Sequence, residues 1–241
     1  MPEAPRRTHA AILPAVLVGL AALTTFLAAC SSDDAPRPVT QEEAERLALA
    51  RMSVYDLGIA DVELSVPVED QTLRLQGLVD TQDHAGYALV TTQDDPPQHA
   101  LLQWTLDDKA IAATDATSLP AAPPGDGWTA AALVPADPLD SALLVTLNLA
   151  SDRPENPLLL RQNGAMWAGT DTVDGRDVDV FLGPGDDGTT DERIRYLVDD
   201  DGTLLRVEAD TGADDPLVID LAPSAATDVP LVAALTDPDG S

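Results

Sequence analysis

The sequence predicts an α+β protein in which helices lie on a long antiparallel β-meander. Three observations carry this. Residues 41–57 repeat apolar positions at helical spacing behind a capping signal. From Val62 onward apolar residues recur at every second position, in segment after segment bounded by turn residues. A second helical stretch, Asp137 to Ala150, interrupts that alternation before it resumes.

Composition narrows the possible functions. The chain has 241 residues, 13 Lys and Arg against 42 Asp and Glu, and a net charge of −29. Nothing forms a basic face, so nucleic acid is excluded as a partner. Hydrophobic residues make up 44% of the chain and aromatics only 3%, so the core must be built from Leu, Val and Ala.

The first 29 residues read as an export signal. Arg6 and Arg7 are followed by an apolar run from Ala10 to Phe26, too short and too rich in small residues for a membrane span. The run ends in Leu27-Ala28-Ala29-Cys30, which looks like a bacterial lipobox: an apolar residue, two small residues that fit a peptidase cleft, and a cysteine able to take a diacylglyceryl group. Cys30 is the only cysteine, so no intrachain disulfide can form. Export by the general route or by a twin-arginine route is open, since His9 and Ala10 stand where the latter motif carries bulky apolar residues.

Cleavage before Cys30 removes Glu3, Arg6 and Arg7, leaving 212 residues with 11 basic and 41 acidic side chains, net −30. An anionic membrane repels such a chain, so the acyl chains must do the holding. Residues 30–39 read as a lipidated flexible tether, with Ser31 to Val39 reaching about 30 Å at most.

In the mature chain, Thr40-Gln41-Glu42-Glu43 fits a capping box that opens a helix over Gln41 to Leu57, with Gly58 placed as its C-cap. In the strands that follow, Leu73, Leu75 and Val79 share a face, as do Tyr87 and Leu89, and Leu102, Trp104 and Leu106. A shorter strand covers Lys109 to Ala113. Ser118 to Pro135 reads as one long loop, either a plain surface connection or a lid that places Trp128 over a pocket.

Asp137 and Pro138 then start the second helix, which carries Leu139, Leu143 and Leu147. Five further strands are expected at Ala165 to Thr170, Arg176 to Leu182, Arg193 to Asp199, Thr203 to Glu208 and Leu217 to Leu221, with hairpin turns at Val173-Asp174-Gly175 and Asp199-Asp200-Asp201-Gly202. Turning the acids of Asp177-Val178-Asp179-Val180 to water puts Val178, Val180 and Leu182 inward, and the same alternation pairs Leu205 with Val207.

The inventory for catalysis is poor. The mature chain keeps only His84 and His99, has one lysine, Lys109, and shows no Gly-x-Ser-x-Gly elbow or Ser-x-x-Lys pair. An EF-hand counted from Asp199 would need glycine at its sixth position, and Gly202 comes at the fourth, so a hairpin turn is the better account. Gly183-Pro184-Gly185-Asp186-Asp187-Gly188 reads as a mobile loop. No enzyme activity, cofactor or metal is therefore expected.

The lipobox, the helix opened by Thr40, the run of hairpins, the inserted helix and the strand pair around Val198-Asp199-Asp200-Asp201-Gly202 together resemble actinobacterial lipoproteins of the mycobacterial LppX/LprG group, similar in fold to the LolA/LolB carriers. The resemblance implies an antiparallel β half-barrel with two or more helices packed on its concave side, closed around an apolar cavity that takes acyl chains. On that reading residues 40–223 form one half-barrel domain and 224–241 a partly disordered C-terminal segment.

Candidate cavity residues are Leu73, Leu75, Tyr87, Leu89, Trp104, Val178, Val180 and Leu205. The expected protein is a monomer anchored by diacylglyceryl-Cys30 on the extracytoplasmic face of the cell membrane, binding or carrying a lipid or other apolar ligand. A non-catalytic envelope-assembly or interaction lipoprotein with a filled core is the alternative, and a cell-wall hydrolase using paired carboxylates is a third. Open cavity or filled core is undecided at this level.

Overall fold

The computed structural model describes residues 35–184 and 194–236. The expected signal peptide and lipobox, Cys30 and much of the Gly183 to Gly188 loop lie outside the described residues, as does Arg193.

Helix α1 (Gln41–Leu57) has the bounds its capping signals predict: the Thr40 side chain accepts from the Glu43 amide and the Glu43 carboxylate accepts from the Thr40 amide. Gly58 ends it at φ 64°, a conformation a side chain would strain. Helix α2 (Pro138–Leu147) starts at the Asp137 cap, and a shorter α3 (Pro157–Gln162) follows Asn156, whose side chain caps two amides. A last turn, α4, spans Ala233–Thr236.

The strands are β1 (Arg37–Pro38), β2 (Ile59–Val68), β3 (Gln71–Asp80), β4 (Ala85–Thr91), β5 (His99–Trp104), β6 (Asp108–Thr114), β7 (Thr129–Ala132), β8 (Met166–Val173), β9 (Arg176–Leu182), β10 (Arg195–Val198), β11 (Leu204–Ala209) and β12 (Leu217–Pro223). They form one open antiparallel sheet in the order β1-β8-β9-β10-β11-β12-β2-β3-β4-β5-β6-β7. It consists of two meanders, β2 to β7 and β8 to β12, joined where the last strand pairs with β2. This is the expected half-barrel, with α1 and α3 packed together, α1 against β10 and β11, and α2 against β2 and β3.

Register explains how the concave face is filled. One cross-strand row runs Trp167, Phe181, Tyr196, Val207, Ile219, Leu64, Leu75, Val90, Ala100. The helices close over it with Ala44, Leu47, Val54, Leu143, Leu147 and Leu160. Pleat geometry aligns such a row on one face, so each strand adds one apolar side chain to the same core.

Several expectations are corrected. Val178 and Val180 do not face the helices; Phe181 does. The reason is Asp179, which turns inward because Arg46 of α1 meets it at 2.6 Å and the Trp167 indole donates to it at 2.7 Å. A paired acid can face a core, and that reverses the strand. Leu205 and Val207 are also split: a β-bulge opposite Leu197 and Val198 leaves Val207 and Leu204 inside and sends Leu205 to the outer face.

The expected loop from Ser118 to Pro135 contains β7. The tether is tied down from Arg37, which pairs with Trp167 in register and lies 4.2 Å from its ring centroid. After β12 the chain continues across the outer face, where the buried Gln103 side chain donates to the Pro230 carbonyl and accepts from the Val232 amide, both at 2.7 Å.

Candidate functional site

The eight cavity candidates fall into three groups. Leu75 and Trp104 lie in the core under the helices, with the half-buried Leu73 packed against it. Tyr87 and Leu89 are on the opposite face with Leu101, covered by Leu119, Trp128 and Val229. Val178, Val180 and Leu205 form a separate outer cluster with Val173 and Leu197. They line no common wall.

The core under the helices is packed at its centre. Trp104, Leu75, Leu64, Leu102, Leu143 and Phe181 are each completely buried, and a side chain beside a void that holds water would keep accessible surface. Packing is tight to the size of a methyl group: a Cβ on Gly86 would sit 2.2 Å from the Trp104 ring, and one on Gly77 2.2 Å from the Tyr87 carbonyl oxygen. The carrier-type chamber expected between sheet and helices is therefore occupied by protein at Leu75 and Trp104.

A groove of about 560 Å³ opens instead on the outer face. Registered pairs bring Asp61 and Glu63 of β2, Gln76 and Leu78 of β3, Tyr87 of β4 and Asp220 and Ala222 of β12 to one side of the sheet. The loop residues Thr117 to Ala121 and the turn residue Asp174 complete the lining. Leu78, Leu119, Pro120 and Ala222 contribute its apolar surface, and the carboxylates of Asp61 and Glu63, on the strand between β12 and β3, lie among them. Of the eight candidates Tyr87 alone borders this groove. The other seven border neither it, nor a 500 Å³ cavity at Pro36, Leu182, Arg195 and Pro216, nor a 360 Å³ cavity between Pro67 and α2.

The chain is similar to several solved structures. The lipoprotein LppX of Mycobacterium tuberculosis aligns with a TM-score of 0.43 and 13% identity, over 73% of this chain and 94% of LppX. MucB aligns at 0.36 and 17% identity over 76% of this chain and 58% of MucB, and a DUF1329 family protein from Desulfovibrio piger at 0.33 and 16% over 81% and 96%. LppX belongs to the group that the sequence resembles. No protein-family model matches the chain, and no curated protein matches it.

Electrostatics at the groove combine paired and unpaired polar groups. Asp220 accepts two hydrogen bonds from Arg206, at 2.6 and 3.0 Å, and this pairing raises the Arg206 pKa. Asp61 accepts from the Ser224 hydroxyl at 2.6 Å, and Glu63 lies 3.9 Å from Arg74. The Tyr87 hydroxyl is buried without a hydrogen-bond partner, and burial pushes its pKa up.

Neither histidine is aimed at the groove: His84 bonds the Leu147 carbonyl and His99 the Thr91 hydroxyl. Asp199 accepts from the amides of Asp201 and Thr203 and pairs with Arg176, which is the chemistry of a hairpin turn. Trp128 covers the Leu89 and Leu101 cluster with its indole donating to the Pro124 carbonyl, so it seals packed side chains. Sequence reasoning missed the groove because its wall is the charged side of β2 and β12; the one legible sign was the apolar Leu119-Pro120-Ala121 inside a proline-rich loop.

Proposed function

We propose that the chain is an extracytoplasmic lipoprotein of a single domain, anchored in the cell membrane through diacylglyceryl-Cys30 after loss of residues 1–29, that binds an apolar or amphiphilic ligand without catalysis. The observation that carries the ligand-binding reading is the outer groove: 560 Å³ is in the range of small-molecule sites, and its mixture of apolar side chains and carboxylates suits a molecule with both characters. The lipobox supports the anchoring. The ligand site is thereby moved from the helix-covered face to the outer one. Tyr87 is the residue shared with the sequence-based set; Leu78, Leu119 and Ala222 join it.

The test is titration of a fluorescent acyl probe against the full chain in nanodiscs, with empty nanodiscs subtracted. Saturable binding of one probe per chain is expected, weakened about tenfold by Leu78→Glu, which replaces an apolar lining side chain with a charge. No saturable component, or binding unchanged by Leu78→Glu, refutes the groove as the site.

The packed core favours a second reading, an envelope-assembly or interaction lipoprotein that presents its acidic exterior to a basic partner. Probe binding separates the two, because this reading needs no small ligand.

A further inference from the structure

Among the described residues, large apolar side chains left exposed by the fold form two groups. Leu106, Ile111 and Val134 are near the β7 edge, among Asp107, Asp108 and Asp137. Leu158 and Leu159, 56% and 50% exposed, stand side by side on α3, while their neighbour Leu160 is buried and ties the helix to α1.

The sequence around α3 is unusual in its charge. Residues 156–170 are the longest run without Asp or Glu after Asp33, in a mature chain of net charge −30, and they include Arg161 in the last turn of α3. The position of the anchor adds to this. Arg37 is fixed beside Trp167, five residues beyond the end of α3. Cys30 precedes Arg37 by seven residues, so at most about 25 Å of chain separates the acylated sulfur from that point.

We infer that α3 is the face that rests on the lipid bilayer, with Leu158 and Leu159 inserted at the headgroup boundary and Arg161 near the lipid phosphates. The inference rests on acylation of Cys30. An anionic surface repels nearly every other face of this domain, and the acid-free run next to the anchored strand is where repulsion is least. Two exposed leucines add apolar burial there, which an acyl-anchored protein needs for orientation, since the acyl chains already supply the hold. The Leu106, Ile111 and Val134 group has comparable exposure but lies among acids, on the sheet edge opposite β1, so it faces away from lipid.

The experiment uses the full mature chain in vesicles of phosphatidylethanolamine and phosphatidylglycerol whose acyl chains carry a quencher. The Cys30 thiol is consumed by acylation, so Leu158→Cys or Leu106→Cys introduces one reactive thiol for an environment-sensitive fluorophore, at a site too exposed to disturb folding. Metabolic labelling with an alkyne fatty acid reports acylation in the same samples. The expected result is a blue-shifted label at position 158, quenched at least about twofold more strongly than at 106. Acylated protein with equal quenching at both positions overturns the docking face and leaves the anchor standing. Absence of fatty-acid label from wild-type chain that Cys30→Ala matches in behaviour overturns both.

Discussion

At the scale of single residues, the side chain with the clearest energetic role is Glu43, which accepts from the Thr40 amide and meets both terminal nitrogens of Arg37, at 2.7 and 2.8 Å. It closes the first turn of α1 and fastens β1 to that helix. The Arg37 hydrogen bonds hold its carboxyl well down, from the ordinary 4.5 to about 2, with the Thr40 contacts helping against the cost of burial. A carboxylate with a depressed folded pKa adds stability that is complete above 4.5 and disappears as pH falls towards 2. Because Arg37 is half exposed, the contribution is about 1–2 kcal/mol. Urea titrations of wild type and Glu43→Gln should therefore differ by that amount at pH 7 and converge near pH 2; a constant gap across the range would contradict the assignment.

At the scale of elements, the strap after β12 is held on the outer face by one buried amide, Gln103, which uses both ends on the backbone of Pro230 and Val232. Gln103→Leu removes both bonds without touching a helix or the inner core. Hydrogen exchange at the Val232 amide should then rise by about one to two orders of magnitude, with the β2 and β3 amides unchanged; protection retained at Val232 would show that Val229 packing alone holds the strap. Elements with strong local signals were legible in the sequence. The Thr40 to Glu43 box marks α1 to the residue, and β9 begins and ends where its alternation does. The strands missed are two and four residues long, β1 and the Thr129-Ala130-Ala131-Ala132 stretch of β7, where no period can be counted. Helix α3 is six residues long, too short for a helical repeat, though Asn156-Pro157 is a legible start signal. Which face a strand presents was misread at β4, which is buried on both faces so that Tyr87 and Leu89 lie outside the core under the helices, and at Asp179 and Leu205, where a long-range ion pair and a bulge decide, and neither is encoded locally. The groove was illegible for the same reason: it exists because distant strands and a loop are brought side by side.

At the scale of the whole molecule, self-repulsion is the dominant electrostatic term. Ion pairs such as Arg206 with Asp220 and Lys109 with the buried Asp140 use up basic groups that are already scarce, and the remaining carboxylates repel across the surface. Salt should raise the melting temperature: going from low ionic strength to about 0.3 M shortens the screening length below the spacing of most surface charges, and a gain of about 2–4 °C is expected by calorimetry. A fall with added salt would show that local pairs outweigh the net charge. The joint between the two meanders bears on a different question, the order of events as the chain emerges from its N-terminus. β2 is among the first strands to appear, yet one of its two partners, β12, is among the last. Until Pro223 has emerged, β2 keeps an open hydrogen-bonding edge and the row through Leu64 and Ile219 is incomplete. Completion of the sheet is thus tied to the appearance of β12, so a chain stalled short of that strand is an aggregation hazard, and a chaperone that shields a sheet edge would act on it in that interval.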